Sequence, residues 1–169
     1  MKKNAEMASN NEQGGLRLLY DKLLKVTKPE IRSRLRLHLI GHSAGAIFQA
    51  HLLPKLLEGG LHVDGIYFMG SACRVELFKT KVLPSYQNGK VAAFTQFHLA
   101  DTVEQKDNCF GLYHKSLLYL VSNAFEHKRG IPLLGMEKFF LADPELTQKP
   151  TGAEVWQWVT CPTIPIPPN

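Results

Sequence analysis

A serine stands between two glycines in the pentapeptide Gly41-His42-Ser43-Ala44-Gly45. The spacing Gly-x-Ser-x-Gly is typical of a sharp turn between a β-strand and an α-helix that exposes a serine hydroxyl as a nucleophile. A serine in such a turn is held at positive φ, and the flanking glycines let the strand and the helix approach without a Cβ clash. The predicted chemistry is attack of the Ser43 hydroxyl on a carbonyl carbon. The alternative is a glycine-rich turn that holds a serine by chance.

The residues on either side of the pentapeptide favour the catalytic interpretation. Leu35, Leu37 and Leu39 alternate as in a strand, and residues 46–53 have the apolar spacing of a helix. Strand, turn and helix therefore follow in the order that an exposed nucleophile requires. Residues 37–46 resemble the nucleophile segment of the α/β-hydrolase superfamily, and a weaker resemblance extends from about residue 14 to about residue 140.

This resemblance implies a serine, then an acid, then a histidine along the chain, with Ser43 following the fifth strand of a mostly parallel sheet. It also implies that the backbone N–H of Ala44 donates to the oxyanion. His42 is interpreted as support beneath the turn, because the turn directs adjacent side chains apart. The implied activity is hydrolysis of an ester or related acyl bond in a small molecule, with no metal or organic cofactor.

Asp101 is the candidate acid, since it follows the predicted strand 91–99, where the resembled superfamily commonly keeps its triad carboxylate. A carboxylate there would orient a histidine and stabilise the imidazolium that forms during catalysis. Two alternatives stay open. Asp101 could be the N-cap of a helix that begins at Thr102, or the acid could be Asp107 or Glu104.

Two of the seven histidines follow Asp101, namely His114 and His127. Residues 116–125 between them have helical apolar spacing, although the same run would also suit a strand. In a strand, His127 lies just past the end, where a triad histidine belongs; after a helix, it interacts with the helix dipole. His127 is the candidate base, His114 is the alternative, and the absence of a catalytic histidine is the third possibility.

The remaining pattern predicts one α/β domain with a three-layer, mostly parallel sheet and helices on both faces. The predicted strands are 34–40, 65–70 and 91–99. The predicted helices are 14–26, 44–58 and 75–86. Pro54 should kink or divide its helix. Trp156 and Trp158 predict a last strand with one tryptophan on each side, and residues 160–169 predict an extended proline-rich tail.

Composition bears on partners and location. The net charge is +5, and no aromatic residues interleave with the densest basic run, 32–36, so we predict a solvated flank rather than a nucleic-acid site. No run of 18 apolar residues and no apolar N-terminal segment is present, which predicts a cytoplasmic chain that is not an integral membrane protein. The three cysteines match no metal-binding spacing.

The chain is short at both ends relative to the resembled fold. Only 33 residues precede Arg34, with no strand pattern and no His-Gly-Gly loop, and no histidine follows His127. We therefore expect an incomplete domain that lacks N-terminal strands and the second oxyanion donor, with weak or absent esterase activity. Its exposed sheet edge would favour self-association. The alternative function is a non-catalytic hydrolase-like fragment or binding module.

Overall fold

The computed structural model describes residues 2–32, 34–109 and 111–161. Four strands form one sheet: β1 (His38–His42), β2 (Val63–Met69), β3 (Val91–Leu99) and β4 (Val155–Cys161). The strands lie in the order β1-β2-β3-β4, and each neighbouring pair is parallel. Helices pack around this sheet, so the predicted α/β class with a parallel sheet is confirmed. Residues 162–169 of the predicted tail lie outside the described residues.

The helices occupy the connections between the strands and the segment before β1. In chain order they are α1 (Lys2–Asn10), α2 (Gly15–Val26), α3 (Pro29–Arg32), α4 (Gly45–Glu58), α5 (Val75–Lys81), α6 (Leu83–Gln87), α7 (Asp101–Glu104), α8 (Leu117–Leu120), a π-helical segment (Val121–Phe125), α9 (Glu137–Leu141) and α10 (Pro144–Thr147). The run 116–125 is therefore helical rather than a strand. The predicted helix 75–86 is divided between α5 and α6.

Helix α4 continues through Pro54, so the predicted division is wrong, and the alternative of a kink stays a prediction. A proline inside a helix costs about 3 kcal/mol, because a hydrogen bond is lost and the ring crowds the preceding turn. Buried side chains lie on both sides of Pro54, with Ala50 and Leu53 before it and Leu56 after it. Burial of this apolar face offsets the cost and keeps the helix continuous.

One face of the sheet packs against helices and contributes side chains of all four strands to the core. Leu39, Ile66, Phe94 and Trp156 lie opposite one another across the four strands on this face. The Phe94 ring lies with its centroid 4.8 Å from that of Trp156 and 5.0 Å from that of Phe78 on α5. These contacts join the second crossover to the last strand.

Both tryptophans of β4 lie on this covered face. The indole N–H groups of Trp156 and Trp158 donate to the Leu146 carbonyl, at 2.7 and 3.0 Å. The expectation of one tryptophan on each side is therefore wrong. The side-chain period of a strand is two residues, so positions i and i+2 share a face.

β1 lies at one edge of the sheet. It pairs with β2 on one side, and within residues 2–32, 34–109 and 111–161 no strand pairs with its other side. The Ile40 side chain is 61% exposed, and its carbonyl accepts a hydrogen bond from the Gln49 side-chain amide at 3.4 Å. Self-association through this edge stays a prediction.

Candidate functional site

Ser43 forms the turn between β1 and α4. Its φ is 50°, and it is the one non-glycine residue with positive φ in the part of the chain that the structure describes. The Ser43 N–H donates to the Met69 carbonyl at 2.9 Å, and the Ser43 carbonyl accepts from the N–H groups of Ala72 at 3.1 Å and Ala46 at 3.3 Å. The structure thus has the predicted order of strand, turn and helix, and it has the predicted positive φ at Ser43.

The two glycines of the pentapeptide have different surroundings. A Cβ placed on Gly41 would lie 2.8 Å from the Ala46 nitrogen and 2.9 Å from its Cα. A Cβ placed on Gly45 would have no heavy atom within 4 Å. The close approach of strand and helix thus requires a glycine at position 41 alone, and the expectation for Gly45 is wrong.

The residues beside Ser43 were expected to supply an oxyanion donor and support. Ala44 has helical backbone angles, with φ −63° and ψ −22°. Its N–H forms no hydrogen bond to another described residue and can donate to a bound group. His42 is exposed, so the interpretation that it supports the turn from beneath is wrong.

Ser43 and His127 line the same cavity, which has a volume of about 600 Å³. The apolar part of its lining is formed by Ile47, Ala72, Leu117, Val121 and Phe125. Its other polar lining residues are Lys3, Arg74 and Glu126. The cavity lies within the size range of small-molecule sites and combines apolar walls with few polar groups, as such sites usually do.

His127 is held by a guanidinium group rather than by a carboxylate. The Nη2 atom of Arg74 lies 3.0 Å from Nδ1 of His127. A guanidinium can only donate, so Nδ1 accepts and the imidazole proton is on Nε2. In a catalytic triad the proton is on the nitrogen that faces the acid, and the other nitrogen accepts from the serine. The arrangement inferred for His127 is the reverse.

Asp101 does not line the cavity, and no histidine among the described residues is hydrogen-bonded to it. Its carboxylate accepts from the Tyr119 hydroxyl at 2.6 Å and from the Gln105 side-chain amide. Ala100 occupies the N-cap of α7, and the Asp101 side chain makes no capping hydrogen bond. The N-cap alternative is therefore wrong. The role of Asp101 as the catalytic acid stays a prediction.

The alternative acids and base also lie away from the Ser43 cavity. Asp107 and His114 are exposed, and neither they nor Glu104 line it. Glu104 is buried and accepts a hydrogen bond from the Ser116 hydroxyl at 3.0 Å. Burial and, to a smaller extent, the nearby Asp101 charge raise the pKa of this carboxyl to about 7, although the hydrogen bond from Ser116 lowers it.

Sequence reasoning did not identify Arg74 and Glu126 as residues of this site. Nε and Nη2 of Arg74 donate to Oε2 of Glu126, at 2.9 and 2.6 Å, and the Glu126 side chain has no exposed surface. The two residues lie 52 positions apart, so no local spacing relates them. The only available signal was that Glu126 directly precedes His127.

No family model, curated protein or solved structure matches this chain. Within the described residues, none of the helices has the length and apolar character needed to cross a membrane. The cytoplasmic location stays a prediction.

Substitution of the two glycines by alanine should give opposite results. Gly41→Ala forces a Cβ against the backbone of Ala46 and should lower the free energy of unfolding by about 1–3 kcal/mol. Gly45→Ala meets open space on a helix and should be neutral or stabilising by up to about 1 kcal/mol. Urea denaturation of both variants measures this difference. Equal stability losses would contradict the assignment.

Replacement of Glu104 should change how stability depends on pH. The folded chain keeps the Glu104 proton up to a pKa of about 7, against an ordinary value of 4.5. At pH values between these two pKa values, the unfolded chain binds fewer protons than the folded chain. The contribution of Glu104 to the free energy of unfolding therefore falls as the pH rises, by up to roughly 3 kcal/mol. Glu104→Gln should remove this fall.

Urea denaturation between pH 4.5 and pH 8 measures the effect of Glu104→Gln. Glu12→Gln, at an exposed residue, is the matched control and should retain the pH dependence of the unmodified chain. A pH dependence shared by all three proteins would show that Glu104 does not contribute to it.

Proposed function

We propose that this chain is a serine hydrolase that acts on an ester or related acyl bond of a small molecule, with Ser43 as the nucleophile. The observation that carries this proposal is the positive φ of Ser43, at a strand-to-helix turn that lines a cavity of about 600 Å³. Strained backbone of this kind is found at functional sites when the surrounding structure holds it. The resemblance to the α/β-hydrolase superfamily supports the same activity.

In the proposed reaction Oγ of Ser43 forms a bond to the acyl carbon, the carbonyl π electrons move to the oxygen, and the hydroxyl proton passes to a base, for which His127 is the candidate. The Ala44 N–H donates to the oxyanion that results. Collapse of this intermediate expels the leaving group, which takes up a proton, and leaves an acyl ester on Ser43. Attack by water on that ester releases the acid and restores the Ser43 hydroxyl.

The mechanism requires a base that accepts the Ser43 proton, and the contacts of His127 oppose this role. His127 is the described histidine that lines the cavity, but its Nε2 carries a proton while Arg74 donates to Nδ1. For His127 to accept the Ser43 proton, its contact with Arg74 must break and its own proton must move to Nδ1. We therefore expect acylation of Ser43 by activated reagents together with slow turnover.

A non-catalytic binding module is the second candidate function. It is favoured by the contacts of Asp101, which bonds to Tyr119 and Gln105 instead of a histidine. In that case the cavity would bind an acyl compound without cleaving it, and Ser43 would have no unusual reactivity.

Covalent labelling separates the two candidates. Five of the six described serines are buried, and Ser43 is partly exposed in the cavity. A fluorophosphonate should therefore label the chain at Ser43, and Ser43→Ala should abolish labelling. Peptide mapping by mass spectrometry identifies the modified residue.

Ser33→Ala is the matched control for labelling, because Ser33 is the one serine outside the described residues. It should label at the rate of the unmodified chain. An adduct at any other serine, or equal labelling of Ser43→Ala, would defeat the hydrolase proposal.

The acid role of Asp101 is tested by Asp101→Asn, with Tyr119→Phe as the matched variant that removes only the hydroxyl contact. A triad acid predicts a loss of up to roughly 10⁴-fold in the reactivity of Ser43. From the observed contacts we expect instead a labelling rate within about tenfold of the unmodified chain and a stability loss of about 1 kcal/mol in each variant. A loss of reactivity confined to Asp101→Asn would assign the acid role to Asp101.

A further inference from the structure

One wall of the Ser43 cavity exposes apolar side chains to solvent. Leu117, Val121 and Phe125 come from one continuous helical segment and are four residues apart, so they share a face. Leu117 is 48% exposed and Phe125 is 68% exposed. A hydrocarbon chain lying against this wall would remove apolar surface from water, which is the main favourable contribution to binding in such cavities.

Arg74 gives the same cavity a fixed positive charge. The guanidinium is held by the unexposed Glu126 carboxylate through Nε and Nη2, while its own side chain stays 28% exposed. Nη1 has no hydrogen-bond partner among the described residues. Arg74 therefore retains two N–H donors for a ligand, in an orientation that the ion pair with Glu126 fixes.

His127 adds a further donor beside Arg74. Its Nδ1 accepts from Arg74, so its Nε2 carries the proton, and this N–H has no acceptor among the described residues. Lys3 also lines the cavity. The charged lining residues are thus two cations, Lys3 and Arg74, against one carboxylate, Glu126. This excess of positive charge and of donors favours an anionic group.

We propose that the edge of the cavity formed by Arg74 and His127 binds the carboxylate of a ligand whose hydrocarbon chain packs against Leu117, Val121 and Phe125. As a statement about substrate, this rests on the proposed function: the preferred acyl compounds carry a free carboxylate at the end of the chain. One carboxylate oxygen can accept from Nη1 of Arg74, and the second oxygen can accept from the Nε2–H of His127. A neutral amide of the same chain lacks this charge.

The test compares hexanoate with hexanamide, two ligands with the same hydrocarbon chain. Binding is measured by isothermal titration calorimetry with the full chain carrying Ser43→Ala, so that no reaction can occur. We expect hexanoate to bind at least about tenfold more tightly than hexanamide, as expected for hydrogen bonds to a charged group. Raising the salt concentration should reduce the affinity for hexanoate more than the affinity for hexanamide.

Two variants assign this preference to the proposed residues. Arg74→Met with Glu126→Gln removes the guanidinium and its partner together, since removal of Arg74 alone would leave a buried carboxylate. The pair of substitutions should abolish the preference. His127→Phe, at an exposed position, keeps the ring and should lower the preference by about threefold to tenfold. His114→Phe, at an exposed histidine that does not line the cavity, should leave the preference unchanged.

Three results would overturn the inference: equal affinities for hexanoate and hexanamide, no binding of either ligand, or a preference that survives in both His127→Phe and the double variant. These outcomes are separate from failure of the proposed function. A chain that is labelled at Ser43 but has no preference for hexanoate would lose this inference alone. A chain that prefers hexanoate but is not labelled would lose the hydrolase activity and keep the carboxylate site.

Discussion

The turn at Ser43 depends on hydrogen bonds to the last residue of β2 and to a residue that follows this strand. Ser43 donates to Met69 and accepts from Ala72, so its strained backbone is tied to the neighbouring strand and not to α4 alone. A non-glycine residue at positive φ costs about 1–3 kcal/mol, and such a conformation persists only when its surroundings hold it. Gly41 permits the same turn from the other side, since any side chain there would meet Ala46. The position of the Ser43 hydroxyl therefore follows from the sheet.

The acidic residues after β3 position the wall of the cavity. Asp101 accepts from the Tyr119 hydroxyl, and Glu104 accepts from the hydroxyl of Ser116, which caps α8. These bonds anchor the segment whose apolar face continues to Phe125. Hydrogen bonds from buried hydroxyls to carboxyl groups are costly to leave unmade, so they hold the segment in place. Two candidate acids, Asp101 and Glu104, are thus hydrogen-bonded to α8 and to its N-cap.

The ion pair of Arg74 and Glu126 determines the chemistry of His127. Since the Glu126 carboxylate has no exposed surface, its charge must be compensated by a partner such as Arg74. Once Arg74 is held there, its remaining Nη2 hydrogen reaches the imidazole and places the proton on Nε2. The same contact leaves the Nε2–H of His127 as a donor to a bound group. The cavity therefore combines the Ser43 hydroxyl with donors suited to an anionic oxygen.

The sequence by itself determined the local features. The pattern around Ser43 predicted the turn, and the strand predicted at 91–99 agrees with β3. Both predictions rest on glycines that favour turns and on apolar spacing, which determine the backbone over a few residues. Only the tertiary structure decided that α4 continues through Pro54. The hydrogen bonds of Asp101 with Tyr119 and of His127 with Arg74 likewise became visible only in the tertiary structure. Those outcomes depend on burial and on contacts between distant residues. Local spacing carries no information about them, because they arise when crossovers bring separate strand ends together.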